Sequence, residues 1–118
     1  MDPTVIDLDD VMERVQDDKE LLLELFDIFE EDYARRRKVL EDALAARNFE
    51  TIRDVVHSIK GAAGNIGAKT LHATCQNIEH MAMDENLDGI VQAMPALDGQ
   101  YDAVQGHIAK LRAKFGKG

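Results

Sequence analysis

One segment of the sequence places a histidine, a lysine and two glycines where a single helix face would carry them. These four residues are His57, Lys60, Gly61 and Gly64. Their spacing of i, i+3, i+4 and i+7 stacks them on one side of an α-helix. Another side of the same helix carries only apolar residues, namely Ile52, Val56, Ile59, Ala63 and Ile66. Because a glycine inside a helix costs about 1 kcal/mol relative to alanine, we expect the two glycines to clear a path by which another molecule reaches the histidine.

The eleven residues from His57 to Gly67 read His-Ser-Ile-Lys-Gly-Ala-Ala-Gly-Asn-Ile-Gly. This run resembles the signature of the histidine-containing phosphotransfer (HPt) domain, the relay module of multistep two-component signalling. The resemblance implies a phosphoprotein that accepts a phosphoryl group on His57 Nε2 from a receiver-domain aspartyl phosphate and passes it to the aspartate of a response regulator. The implied partners are the receiver domains of response regulators and of hybrid sensor histidine kinases. The receiver is expected to hold the Mg²⁺ for the reaction, so this chain is expected to need no cofactor of its own.

A glutamate on the following helix is predicted to lie beside His57. If the third and fourth helices form an antiparallel hairpin that turns near residues 66–68, His57 lies about 14 Å and Glu79 about 17 Å from the turn along the two axes. A carboxylate at that level can accept a hydrogen bond from Nδ1–H of His57, fix the tautomer and leave Nε2 as a nucleophile, and the resemblance implies the same orienting role. The other interpretation is a surface glutamate that pairs with a cation. Lys60, one turn beyond His57, is expected to place its ammonium beside the phosphoryl oxygens.

The same helix face is predicted to receive the partner domain. Gly61 and Gly64 would leave room for receiver loops, although Gly64 has a second interpretation, in which it only lets the third and fourth helices approach closely. The predicted partner-binding residues are Arg53, Gly61, Gly64, Lys69, His72 and Gln76. The resemblance implies that the partner receiver domain has an acidic active site. We therefore expect this partner to dock on a basic face, where Arg53, Lys60 and Lys69 surround His57. Apolar contact is expected at the edge of this face from Val11 or Val15.

Other activities have no matching pattern in the sequence. There is no Walker loop and no kinase-type glycine loop, so we expect a phosphocarrier without kinase activity of its own. No two of the four histidines stand four residues apart, so no metal site is expected. The rival from another functional class is a helical adaptor that docks receiver or kinase domains without carrying phosphate.

Length and charge set further bounds. At 118 residues the chain fits one domain, residues 1–118, large enough to bury a core without disulfides or metal. Residues 1–32 carry 13 acidic and 2 basic side chains, so this segment holds all of the excess of acidic residues that gives the chain its net charge of −9. The sequence has no stripe of basic residues that could bind the phosphates of a nucleic acid. The run Arg35-Arg36-Arg37-Lys38 follows acidic residues and is interpreted as a solvated helix face with intrahelical ion pairs.

The sequence contains no signal-peptide pattern and no apolar run of about 18 residues. The chain is therefore expected to be cytoplasmic, with no membrane contact. We also expect a monomer.

The apolar periodicity predicts an all-α fold, an antiparallel up-and-down four-helix bundle with a short additional N-terminal helix. The predicted helices span about residues 7–16, 19–47, 49–65, 68–83 and 87–114. The last one has two interpretations, since Pro95 either begins a separate helix after a short helical segment or kinks one continuous helix. Asp17 or Asp18 is expected to cap the second helix and Asn48 the third. Gly67 is expected to close the third helix with left-handed backbone.

Overall fold

Five α-helices make up the part of the chain that the structure, a computed structural model, describes, which is residues 2–116. They are α1 (Leu8–Arg14), α2 (Lys19–Ala45), α3 (Phe49–Asn65), α4 (Lys69–Met83) and α5 (Leu87–Phe115). No strand occurs within residues 2–116, and the predicted all-helical bundle is confirmed. None of these helices combines the length and the apolar content needed to cross a membrane.

The helices begin where short polar side chains satisfy their first backbone N–H groups. Asp18 accepts a hydrogen bond from the N–H of Leu21 at 3.0 Å, and Asn48 accepts one from the N–H of Thr51 at 3.1 Å. Of the two aspartates considered before α2, Asp18 is therefore the cap. α3 spans the predicted residues 49–65, and Gly67 follows it with a φ of +70°, the left-handed backbone expected there.

Ion pairs show how α2 and α5 run past each other. Asp27, near the start of α2, pairs with Arg112, near the end of α5. Ten residues further along α2, Arg37 donates two hydrogen bonds to Asp98 of α5, at 2.9 and 3.0 Å. Since the partner numbers fall as the α2 numbers rise, the two helices are antiparallel. Together with the short connections between successive helices, this gives the up-and-down order.

The basic run on α2 contains the expected intrahelical ion pairs at three of its four positions. These pairs are Arg35 and Arg36 with Asp32, and Lys38 with Glu41 and Asp42. The exception is Arg37, which faces α5 and pairs with Asp98 of that helix instead. The interpretation as a solvated face holds for the rest of the run.

The apolar stripes of the long helices meet in one core. The predicted stripe of α3 is at most 2% exposed at Ile52, Val56, Ile59, Ala63 and Ile66. Tyr33 of α2 and Tyr101 of α5 stack with ring centroids 3.6 Å apart. Val11 of α1 and Val15 at its C-cap are 0% and 4% exposed. The expectation that these valines contact a partner is therefore wrong, because the apolar face of α1 is used to cover the bundle itself.

The final helix continues through its proline. α5 is unbroken from Leu87 to Phe115, so the interpretation of one continuous helix is correct. Pro95 lies on the solvent side and lacks the N–H that would bond the carbonyl of Val91. Val91 is 54% exposed, so water can reach that carbonyl and the helix continues.

The N-terminal segment and α1 close the end of the bundle where α3 turns into α4. The N–H of Asp7 donates to the carbonyl of Gly67 at 2.9 Å. Arg14, the last residue of α1, donates to the carbonyl of Gly64 at 3.3 Å. These bonds hold the turn in place, and the turn sets the register of α3 against α4.

Candidate functional site

His57 lies in the middle of α3 with its side chain 65% exposed. Its Nδ1 is 2.8 Å from Oε2 of Glu79 on α4, so the hairpin brings the two residues to one level as predicted. A carboxylate only accepts hydrogen bonds, so Nδ1 of His57 carries the proton and donates it. The other ring nitrogen, Nε2, then holds a lone pair and has no hydrogen-bond partner within residues 2–116. Such a nitrogen is a nucleophile.

Glu79 divides its two oxygens between two partners. Oε2 accepts from His57, and Oε1 accepts from the ammonium of Lys60 at 2.6 Å. The side chains of Lys60 and Glu79 are only 20% and 15% exposed. The hydrogen bond from Lys60, reinforced by the one from His57, holds the pKa of Glu79 below its ordinary value against the opposing effect of burial. The structure therefore contains the contact that each interpretation of this glutamate requires, one with the histidine and one with a cation.

The two helical glycines of the motif differ in their surroundings. A Cβ added at Gly61 would have no neighbour within 4 Å, and one at Gly64 would meet Nδ1 of His72 at 3.5 Å. That second distance is an ordinary van der Waals contact, so the packing of α3 against α4 does not itself demand glycine at either position. His72 instead uses its Nδ1–H to donate to the carbonyl of Lys60 at 3.1 Å. It ties the two helices of the hairpin together beside the site.

Arg53 and Gln76 flank the central pair on the two helices. Arg53 precedes the histidine by one turn of α3, and its guanidinium is 3.9 Å from the Asp54 carboxylate. Gln76 is exposed on α4, one turn before Glu79. Both residues lie where a molecule covering the histidine would meet them, so their predicted part in partner binding stays a prediction.

Lys69 lies away from His57, contrary to the expectation that it would help to surround the histidine. It is the first residue of α4, ten residues before Glu79, which is about 15 Å along a helix. Its ammonium pairs with the Asp7 carboxylate at 2.7 Å. That hydrogen bond raises the pKa of Lys69 and lowers the pKa of Asp7. The reason is the N-terminal segment, which folds over this end of the bundle and supplies the counter-ion.

Two features of this surface were missed from the sequence. The first is Arg14 of α1, whose guanidinium donates to the backbone carbonyl of Gly64. The second is an apolar strip on α2, where Leu25 and Ile28 line a shallow groove together with Ala62 and Asn65 of α3. Ile28 is 61% exposed. The sequence does contain a pattern that predicts this strip, because Leu21, Leu25 and Ile28 recur at helical spacing beside the buried stripe of α2.

Comparison with known proteins identifies the family. A family model described as the Hpt domain matches residues 24–107. The chain belongs to the Hpt domain family. Histidine-containing phosphotransfer protein 2 of Arabidopsis thaliana is 25% identical to this HPt protein over an alignment of 109 residues, and the match covers 88% of this chain and 68% of the plant protein. The crystal structure of the HPT domain of a Shewanella hybrid sensor histidine kinase has a TM-score of 0.80 at 17% identity, covering 96% of this chain and 97% of that one. This likeness shows the shared fold.

Family membership assigns this HPt protein a general role, which is histidine phosphotransfer in a phosphorelay, with receiver domains as the class of partner. The matched residues include all of α3 and α4, and therefore the histidine, the lysine and the glutamate that the structure brings together. α1 lies outside the match, so Arg14, which contacts the matched residue Gly64, comes from a part of this HPt protein that the family model does not cover.

Proposed function

We propose that this HPt protein accepts a phosphoryl group on Nε2 of His57 from the aspartyl phosphate of one receiver domain and passes it to the aspartate of a response regulator. The observation that carries the proposal is the 2.8 Å contact between Nδ1 of His57 and Glu79. It fixes the proton on the inner nitrogen and leaves the outer one exposed as a nucleophile.

The transfer needs only one nucleophile from this chain. The lone pair on Nε2 of His57 attacks phosphorus, and an N–P bond forms while the P–O bond to the receiver's carboxylate breaks. The carboxylate leaves with the electron pair. The imidazole keeps its proton on Nδ1 and becomes cationic, and the Glu79 carboxylate that accepts this proton's hydrogen bond offsets the new charge. The second receiver reverses the step, and the histidine leaves as the neutral ring.

The magnesium ion of the reaction is assigned to the receiver rather than to this chain. A hard cation such as Mg²⁺ requires free oxygen ligands. The carboxylate that contacts the histidine, that of Glu79, already uses one oxygen for His57 and the other for Lys60. The residues at this site therefore do not suit a magnesium ion, and their contribution is to orient the nucleophile and to dock the partner.

The docking surface is proposed to extend from the histidine across α3 onto α2. Gly61 presents bare backbone beside His57, and the strip that contains Leu25 and Ile28 adjoins the side of α3 that carries Ala62 and Asn65. A standard interface covers about 800 Å² on each partner, so one receiver reaches both features. Apolar contact at this strip replaces the contribution first expected from the two buried valines.

The test is transfer from a receiver domain whose aspartate carries labelled phosphate. The full chain should acquire a label that acid removes and alkali does not, and ATP alone should give none. The His57→Gln variant should lose the label while keeping its helical content and melting temperature, because an exposed side chain contributes little to packing. His80→Gln is the matched control, since His80 is exposed on α4 next to Glu79, and it should be labelled normally. Label on the His57→Gln protein would refute the assignment, and receiver binding without any transfer would support the adaptor instead.

A further inference from the structure

One of the two basic residues in the acidic N-terminal part of the chain lies beside the motif face of α3. Residues 1–32 contain only Arg14 and Lys19 as basic side chains. Arg14 is the last residue of α1, and its Nη1 donates to the carbonyl of Gly64 at 3.3 Å. Gly64 follows His57 by seven residues on the same face, which is about 10.5 Å along the helix. The guanidinium therefore lies two turns of α3 from the nucleophile.

Arg14 and Lys69 line a groove of about 220 Å³ where α1 meets the turn between α3 and α4. The lining also includes Gly64, Gly67 and Ala68. These three residues carry at most a methyl group, so part of the wall of the groove is bare backbone. The groove therefore has room for the end of a side chain from another molecule beside the guanidinium.

The guanidinium of Arg14 keeps N–H groups for a further partner. Its side chain is 53% exposed, and its ion pair with Asp10 is a single contact of 3.3 Å from Nε. Nη2 has no hydrogen-bond partner within residues 2–116. Lys69 is instead paired with the Asp7 carboxylate at 2.7 Å. Of the lysine and the arginine in this groove, Arg14 is therefore the one that can bind an additional anionic group.

α1 is fixed in this position by its apolar side and by the backbone before it. Val11 and Val15 are 0% and 4% exposed. The N–H of Asp7 donates to the carbonyl of Gly67 at 2.9 Å. The guanidinium is therefore presented by a rigid element before a partner arrives, so binding costs less conformational freedom than it would on a flexible loop.

We propose that Arg14 binds a carboxylate side chain of the receiver domain that docks over His57, and so selects receivers that have an aspartate or a glutamate at that point. The identity of the partner rests on the proposed function. A standard interface of about 800 Å² on each partner has a radius of about 16 Å, so a domain centred on His57 reaches Arg14. A guanidinium is the side chain best suited to a carboxylate, and the pair gains strength as the docked domain excludes water.

The experiment measures how tightly the full-length chain binds the unphosphorylated receiver domain of the labelling test, by fluorescence anisotropy in about 0.1 M and about 1 M salt. Arg14→Gln removes the charge and keeps an N–H donor for the carbonyl of Gly64. Lys19→Gln is the matched control, because it removes the other positive charge of the same segment, and Lys19 lies over the ring of Phe115 at the end of α5. Thermal unfolding verifies that each variant is folded.

Arg14→Gln should raise the dissociation constant about three- to tenfold at the lower salt concentration and by much less at the higher one, where charges are screened. Lys19→Gln should leave it unchanged. The exposed acidic residues around the receiver's phosphoacceptor aspartate are then replaced one at a time by Asn or Gln. One of these changes should weaken binding to the parent and have no further effect on Arg14→Gln.

Three results would overturn the proposal. They are equal affinities of the parent and Arg14→Gln, a loss of the same size at both salt concentrations, and a loss that couples to no acidic residue of the receiver. The second of these would show that Arg14 only supports the packing of α1.

Phosphotransfer separates this proposal from the function on which it rests. If the parent binds the receiver but acquires no label, the proposed function fails, whereas the binding comparison still decides the role of Arg14. If Arg14→Gln is labelled at the parent rate at limiting receiver, the proposed function stands and the proposal for Arg14 fails. A parent that binds no receiver would overturn the proposal for Arg14 as well.

Discussion

Replacing Gly61 should separate the stability of this protein from its phosphotransfer activity. A Cβ added at Gly61 would meet no atom within 4 Å, so Gly61→Ala has no steric cost. It gains the difference in helix propensity between the two residues, which is about 0.8–1 kcal/mol. For a domain of this size the melting temperature should rise by about 3–5 °C.

Two further glycines provide the controls. Gly99 and Gly106 lie inside α5, and an added Cβ at either one would also meet nothing within 4 Å. Alanine at these positions should stabilise the protein by the same amount as alanine at Gly61. Thermal or urea unfolding of the three single variants measures the comparison. A loss of stability in Gly61→Ala alone would show that the backbone at this point of α3 is under a constraint that the structure does not contain.

The leucine variants then test the docking face. Gly61→Leu and Gly99→Leu should both fold, because each side chain enters open space. Only Gly61→Leu should slow phosphotransfer from a receiver, because its side chain stands beside His57 in the path of the partner. We expect a loss of at least about tenfold, equivalent to 1.4 kcal/mol, measured as the rate at limiting receiver. Equal transfer rates for the two leucine variants would place the docking surface elsewhere.

Three further outcomes follow from the packing and the electrostatics. Gly67→Ala should lower the free energy of unfolding by about 1–3 kcal/mol in urea denaturation, because Gly67 has a φ of +70° and an added Cβ would lie 3.0 Å from a backbone oxygen of the N-terminal segment; an unchanged midpoint would contradict this. Arg37 and Asp98 should show a coupling free energy of about 0.5–1 kcal/mol in a double-mutant cycle of alanine variants, since the pair is bidentate but partly solvated. These variants should not change phosphotransfer. A coupling of zero would mean that the pair does not contribute to stability. Because the pKa of Glu79 is lower in the folded protein than in the unfolded chain, the stability it provides is present above the unfolded value of about 4.3 and is lost as the pH falls through the folded value. Unfolding measured at pH 7 and at pH 3 should therefore show a smaller acid loss for Glu79→Gln than for the parent, and equal losses would refute the linkage.

Local signals in the sequence were sufficient for the helices. Asn48 before α3 and Gly67 after it mark the two ends of that helix by their own chemistry, a side-chain acceptor and a residue suited to left-handed backbone. The level of Glu79 beside His57 followed from the rise per residue once the turn was placed. These features depend on near neighbours in the chain, which is why the sequence determines them directly.

Contacts between distant segments could not be predicted in the same way. The pairing of Lys69 with Asp7, and the burial of Val11 and Val15, depend on the N-terminal segment folding over the hairpin turn. Arg37 looked like its neighbours in the basic run until the rotation of α2 against α5 was known. Pro95 was ambiguous because its effect depends on whether the freed carbonyl faces water or the core, and only the bundle decides that.

The open position of Nε2 on His57 has a consequence in time. The carboxylate of Glu79 is hydrogen-bonded to the other ring nitrogen, Nδ1. It is therefore not placed to activate a water molecule for attack on a phosphoryl group at Nε2. On the proposed function, a phosphoryl group left without a receiver would decay at about the intrinsic rate of phosphohistidine in water. The upper limit on the lifetime of the phosphorylated protein would then be set by the chemistry of phosphohistidine. Below that limit, the lifetime would depend on the abundance of the receivers and on how fast they remove the phosphoryl group.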